Sequence, residues 1–389
     1  MSRPQGDRSR LYAAAFLRSL ATGLSGVLLG LYLARVGLSA TTIGYAISAG
    51  LGGGALAATI TAFFGDRIGR RRLLVAVNLL GAIGGLVLYF GDSPWLLIAA
   101  SFAGMVNGMG RDRGATLILD QAILPGTTDN TGRTKVFAVY NVFQDIGHAV
   151  GGLLAAIPDM RSAFLVYSGL LLAAAILDMT LSSAVEAAEP TRRPTLSPKS
   201  RSLITRISAL FAMDSLGGGF LTTSLLAYFF HERFGVSAGT IGFLFFAARV
   251  ANAGSHLAAA WLATRIGLVN TMVFTHLPSS LLLLTVPFAP NFTVAAILFL
   301  LRESLVEMDV PTRQSYVMAV VAPEERTVAS GITHLVRLTA WAVAPAFAGA
   351  MMTGALGAPL AAGAGMKIAY DLLLWRAFRK VRPPEEHPA

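Results

Sequence analysis

Long apolar runs alternate with short clusters of glycine, proline and charge along most of the chain, and this alternation sets its element map. Each run is long enough for a membrane-crossing helix, which needs ~20 apolar residues. The spacing predicts helices at 11–36, 39–64, 73–90, 95–121, 133–157, 162–185, 203–231, 237–264, 270–288, 292–319, 327–353 and 356–379. The longest polar stretch, Glu186 to Arg206, contains EPTRRPTLSPKSR and falls at the midpoint. The expected architecture is an all-α membrane protein with twelve transmembrane helices in two pseudo-symmetric six-helix lobes. The lobes take 1–185 and 203–379, joined by a cytoplasmic linker at 186–202 and followed by a cytoplasmic tail at 380–389.

The two halves repeat. At a separation of 198 positions, Arg35, Gly37, Ser39, Ala40, Thr42, Ile43 and Gly44 meet the same residues at Arg233, Gly235, Ser237, Ala238, Thr240, Ile241 and Gly242. In that register Arg67, Ile68, Gly69 and Val75 meet Arg265, Ile266, Gly267 and Val273, and Pro125 meets Pro323. Similarity between unrelated apolar helices would not keep loop residues aligned over this distance, so a six-helix unit has been duplicated.

Composition narrows the class. Of 389 residues, 54% are apolar and 13% charged, with a mean hydropathy of +0.62; soluble domains carry about 25% charged residues. With no cysteine, disulfides, thiolate metal sites and a cysteine nucleophile are excluded. The basic excess, 31 against 21 acids, is spread between apolar runs, which argues for topology rather than for nucleic acid. Arginine and lysine crowd the segments on the side of the N-terminus, whereas the opposite loops hold only Arg35, Arg161 and Arg233. The positive-inside rule then expects both termini in the cytoplasm of a bacterial inner membrane. No signal peptide is expected, since Met1 to Arg10 leads straight into a long apolar helix without a small-residue cleavage site.

The loop between helices 2 and 3 reads Gly65-Asp66-Arg67-Ile68-Gly69-Arg70-Arg71-Arg72. Together with twelve spans and the repeat, it makes the chain resemble the major facilitator superfamily over essentially its whole length. The resemblance implies alternating access between two lobes, with Asp66, Arg67, Gly69, Arg70 and Arg71 pairing to close the cytoplasmic side in one state. Ala62 departs from the family pattern, which usually has glycine four residues before the Asp. A second family pattern, found in antiporter-type exporters, has Gly-Pro followed by Gly-Gly in helix 5. Here it reads Gly147-His148-Ala149-Val150-Gly151-Gly152, with histidine in place of the proline; the same glycines would also serve close helix packing.

Charges within the predicted helices are costly unless they face one another or water. Asp178, Lys367 and Asp371, near helix ends, are expected to snorkel to the interface. On helix 5, Asn141, Gln144, Asp145 and His148 form one stripe, and on helix 8 Arg249, Asn252 and His256 form another. Asp145 and Arg249 are expected to meet at mid-depth as a gating pair. On helix 10, Arg302, Asp309 and Arg313 share one face, while Glu303 and Glu307, one turn apart, would repel when both are ionised. Glu303, Glu307, Asp145 and His148 are therefore the candidate proton-coupling residues. In the family, helices 1, 4, 7 and 10 line the cavity, so the resemblance implies substrate contacts from Arg18, Asn107, Arg111, Arg113, Asp214, Arg302 and Asp309, with Arg337 and Trp341 from helix 11. Arg18 and Asp214 stand at near-equivalent repeat positions with opposite sign, and a bridge between them is expected.

No nucleotide-binding phosphate loop occurs, so an ion gradient is the expected energy source. The leading expectation is a proton-coupled antiporter exporting a small organic solute or drug, acting as a monomer in the bilayer without cofactor, metal or nucleic acid. The alternative is a carrier of an organic anion or metal chelate through an arginine-lined cavity. An enzyme or a non-transporting sensor lacks support: His148, His256, His276 and His334 sit on separate helices, and no serine nucleophile elbow is present.

Overall fold

A computed structural model describes residues 3–111, 114–128, 133–186, 197–309, 313, 316, 317, 321 and 325–378. Among these every regular element is helical: α1 (Arg3–Arg35), α2 (Ala40–Ile68), α3 (Arg70–Phe90), α4 (Pro94–Ala103), α5 (Ala115–Ile123), α6 (Arg133–Leu153), α7 (Met160–Met179), α8 (Pro198–Gly219), α9 (Thr223–Phe234), α10 (Ala238–Ile266), α11 (Leu268–Thr285), α12 (Phe292–Val306), α13 (Arg326–Gly354) and α14 (Ala358–Phe378). Among the described residues seven helical segments are long and apolar enough to cross a membrane. The chain is an all-helical membrane protein.

The loop residues shared by the two halves have local jobs. Ser39 and Ser237 accept the amides of Thr42 and Thr240 at 3.3 and 3.2 Å, and an N-cap of this kind contributes about 1 kcal/mol to its helix. Gly69 and Gly267 turn the chain between α2 and α3 and between α10 and α11 with φ of 104° and 83°, a region that side chains with a Cβ avoid. Duplicated turns and caps therefore stay in register while the apolar helix faces drift.

Three predicted spans are not continuous helices. The span expected at 95–121 is α4 and α5, with non-helical residues at 104–111 and 114 between them. That stretch holds Gly104, Gly108, Gly110 and Gly114, each costing about 1 kcal/mol relative to alanine in a helix, and Gly110 adopts φ 70°. The span at 203–231 starts earlier, at Pro198, and breaks after Gly217, Gly218 and Gly219; Thr222 then caps α9. The span at 292–319 gives α12 only to Val306, with Glu307 and Met308 in a turn.

Contacts divide the chain into two compact units. One comprises Met1–Thr191 with Thr222–Phe246 and Pro345–Thr353. In it α1 runs along α6 and α7, α3 lies on α7, and α2 on α4, around Leu11, Leu74, Leu119, Ile123 and Tyr140. The other comprises Arg192–Leu221, Ala247–Ala344 and Gly354–Ala389. There α11 packs on α12 and α14, and α14 on α8, around Ile204, Phe211, Met272, Tyr316 and Tyr370. Large apolar side chains such as Ile83, Phe90, Phe274 and Phe288 lie exposed, the pattern of a surface solvated by hydrocarbon.

Candidate functional site

In the first unit a buried charge cluster joins five helices. Arg18 of α1 pairs with Asp120 of α5 and lies 3.6 Å from Asp178 of α7. Asn78 of α3 donates to Asp178 at 2.7 Å, and the Tyr140 hydroxyl of α6 donates to Asp120 at 2.8 Å. Gln144 donates in turn to the Tyr140 oxygen at 3.2 Å. Arg18, Asp120 and Asp178 are buried, so one guanidinium faces two carboxylates away from solvent. Asp178 does not snorkel: Asn78 and Arg18 both hold its Oδ2 inside the bundle.

The second unit holds a larger counterpart. Lys367 of α14 donates to Asp214 of α8 at 2.7 Å, and Arg313 and Arg337 approach the other oxygen of Asp214 at 3.5 and 3.9 Å. His276 of α11 binds Asp371 through Nδ1 at 2.9 Å and faces Lys367 through Nε2 at 3.3 Å. Arg313 also pairs with Asp309, and Arg337 donates to Ser215 at 3.0 Å and stacks over Trp341. Lys367 and Asp371 are 6% and 0% exposed; each has partners inside the bundle that remove any need to reach the interface. Arg18 and Asp214, expected to form a bridge, each have oppositely charged partners within their own unit.

These clusters are related by the repeat. Asn78 and His276 stand 198 positions apart, in the register of the shared loops. Asp178 and Asp371 stand 193 apart, as do Asp120 and Arg313, the register that aligns Asn141 with His334. Helical spacing alone singles out no role for Asn78 or Asp120 and leaves His276 as one of four histidines on separate helices, although the repeat register links all three. It also puts Arg302 and Glu303 on different faces, whereas Arg302 pairs with Glu303, which accepts from Asn252 at 2.9 Å as well. A long arginine side chain spans the ~100° between successive helix positions.

Glycines allow close backbone approaches in the first unit. A Cβ on Gly151 would strike the Leu20 carbonyl of α1, and one on Gly147 would sit 2.6 Å from the Ser19 Cβ, so these helix 5 glycines serve packing. Gly242 meets the Gly152 carbonyl, Gly44 meets the Pro345 carbonyl, and Gly30 meets the Ser224 carbonyl. Ser48 accepts the Ala346 amide at 2.8 Å. The non-helical stretch joins this set: Ser25 donates to the Asn107 carbonyl at 3.0 Å, the Ser224 amide to the Gly108 carbonyl at 3.0 Å, and Thr223 to the Met109 carbonyl at 2.8 Å. Asn107 closes the stretch on itself, accepting from the Met109 amide and donating to the Arg111 carbonyl, both at 2.7 Å. Asn107 therefore braces the backbone instead of sharing a helix face with Arg111, and Arg113 lies outside the described residues.

At the loop after α2, Asp66 accepts from Arg70 at 2.8 Å, and Arg70 reaches the Ala122 carbonyl at 3.1 Å. Arg71 donates to the Leu181 carbonyl at 2.9 Å. Glu186, read only as the start of the linker, accepts the Arg70 amide at 2.6 Å and so caps α3. Glu325 takes the Ser200 hydroxyl and the Ser197 amide, which hold its carboxyl below the usual carboxylate range.

A family model described as Major Facilitator Superfamily matches residues 11–345. The chain belongs to the Major Facilitator Superfamily. Among its superfamily relatives and neighbours, an uncharacterized membrane protein of Saccharomyces cerevisiae, YJR124C, is 25% identical over 390 residues, covering 88% of this chain and 87% of the yeast protein. The multidrug resistance protein MdtG of Salmonella heidelberg is 28% identical over 174 residues, covering 43% of this chain and 42% of its own. The nucleoside transporter NupG shares the fold at a TM-score of 0.77 and 14% identity, covering 96% of this chain and 99% of its own. The xylose transporter XylE of E. coli does so at 0.72 and 13%, covering both chains fully. Membership in this superfamily makes the protein a membrane transporter of small molecules rather than an enzyme. The Asp66–Arg70 pair is the one its loop signature calls for. Asp145 is exposed on α6 and Arg249 half-buried on α10, each in a different unit. Glu307 is half-buried beside the buried Glu303, and His148 is buried on α6.

Proposed function

We propose that this protein is a proton-coupled antiporter that exports a small organic solute by alternating access, with both termini in the cytoplasm. The observation that carries the reading is the Arg18–Asp120–Asp178 cluster: two buried carboxylates share one guanidinium, so a single proton on the pair brings the group to neutrality. Gaining and losing that proton is what coupling to a gradient requires. Export is supported by the likeness to MdtG. Asp145 with Arg249, and Glu307 with His148, remain secondary candidates for gating and proton transfer. Substrate contacts fall to Arg111, Arg302, Arg337 and Trp341. A second reading, transport of an organic anion or its metal chelate, draws on Arg313, Arg337 and Lys367 gathered at the single carboxylate of Asp214.

The test uses inverted membrane vesicles and ethidium as probe. Acidifying the lumen should drive ethidium uptake, nigericin should abolish it, and Asp178→Asn should remove the gradient-driven part. Uptake indifferent to nigericin would overturn proton coupling. Gradient-driven uptake of a carboxylate dye in place of ethidium would favour the second reading.

A further inference from the structure

We propose that His276 is a proton-binding site of the second half, and that its protonation displaces Lys367 from Asp214. The proposal deepens the proton-coupled reading and rests on it for its role in transport. Lysine has only donors, and Lys367 donates to Asp214 at 2.7 Å while facing Nε2 of His276 at 3.3 Å. Nε2 is therefore the unprotonated acceptor, and Nδ1 carries the hydrogen donated to Asp371 at 2.9 Å. A chain of four titratable groups results, running Asp371, His276, Lys367, Asp214 across α14, α11 and α8.

Charge balance makes this chain a switch. The groups facing it are Arg313 and Asp309, Arg337 of α13, and Tyr370 of α14, whose ring stands edge-on to His276. The remaining neighbour, α12, presents Arg302 and Glu303, which neutralise each other. With His276 neutral, Arg313, Arg337 and Lys367 stand against Asp214, Asp309 and Asp371, and Glu307 acts on Arg313 as well. A proton from solvent adding to Nε2 removes the acceptor and sets two cations 3.3 Å apart. The imidazolium is then 3.8 Å from the same Asp214 oxygen that Lys367 holds, so two cations compete for one carboxylate and Lys367 is released. The proton forms one N–H bond, breaks none, and adds one positive charge. In the first half the equivalent position is Asn78, which makes the matching bond to Asp178 but has no second protonation state.

The test reads histidine directly in the detergent-purified, full-length protein labelled with nitrogen-15 at its imidazoles. At pH 8 the neutral tautomer protonated at Nδ1 should be shown by His276 and by His231, whose Nδ1 donates to the Val236 carbonyl at 2.9 Å, and the His276 signal should become imidazolium as the pH falls to 5. His276→Asn should delete that signal; removing His148, His231, His256, His334 and His387 one at a time assigns it independently if His276→Asn does not fold. Lys367→Met removes the competing cation and should raise the midpoint of that signal by about one pH unit or more. A His276 signal that stays neutral at pH 5, or a midpoint unmoved by Lys367→Met, would overturn the proposal. Ethidium uptake by wild-type vesicles, run in parallel, reports separately on proton coupling: its indifference to nigericin would remove that reading while the titration of His276 still stands or falls by its own signal.

Discussion

Arg18 is a buried cation placed between Asp120 and Asp178. Truncation to alanine would take the Arg18 guanidinium away from two buried carboxylates, and loss of one partner of such a site costs about 3–5 kcal/mol. Arg18→Ala should therefore lower thermal stability severely, and Arg18→Ala combined with Asp120→Asn should recover much of it; equal melting temperatures for the single and double variants would contradict the geometry. At Glu325 the sign of the pH effect follows from its partners. Its folded carboxyl titrates below the unfolded one, so its contribution is present at neutral pH and lost as the pH falls through the acid range below the ordinary glutamate value of about 4.3. Glu325→Gln should flatten that acid-side slope in a pH series of unfolding curves. At this scale the sequence was a partial guide. It showed which ionisable residues lie in apolar runs, and the Asp309–Arg313 and Arg337–Trp341 neighbours followed from helical spacing. It did not show that Arg18 turns to Asp120, because that partner is 102 positions away and several acids at the same depth were equally available by spacing alone.

At the level of elements, the duplicated glycines Gly44 and Gly242 make repeat-related contacts, one on the Pro345 carbonyl and the other on the Gly152 carbonyl. A methyl group at either has a backbone oxygen in its way, and overpacking of this sort costs about 1–3 kcal/mol. Gly242→Ala should loosen the contacts of α10 with α6, and Gly44→Ala those of α2 with α13. The measurable result is faster maleimide labelling of a cysteine placed at Ser48 in the Gly44→Ala background; an unchanged rate would argue against close approach there. The helix map was legible in the apolar runs, and the caps at Ser39 and Ser237 in the repeated loops. The breaks at 104–111 and after Gly219 were not, because hydropathy reads an apolar glycine-rich stretch as helix. What decides against helix is the backbone bonding that Ser25, Thr223 and Ser224 offer to carbonyls 107–109.

For the whole molecule, the absence of cysteine allows a clean test of movement. With cysteines introduced at Ser48 and Ala346, a short bifunctional thiol reagent should join α2 to α13 and arrest ethidium uptake, while either single variant stays active. Continued transport by the cross-linked protein would show that this contact never opens. The helix breaks also constrain how the protein is made. The ten residues of α4 extend about 15 Å at 1.5 Å each, half of the roughly 30 Å hydrocarbon layer. Such a segment is too short to be threaded into the bilayer as an independent unit during synthesis. It must be held by helices already inserted, and α2 and α3, both of which it packs against, are translated before it. Truncated chains ending near residue 111 should leave α4 at the membrane surface whenever α2 is replaced by an unrelated apolar helix, so biogenesis of the first half is sequential rather than helix by helix.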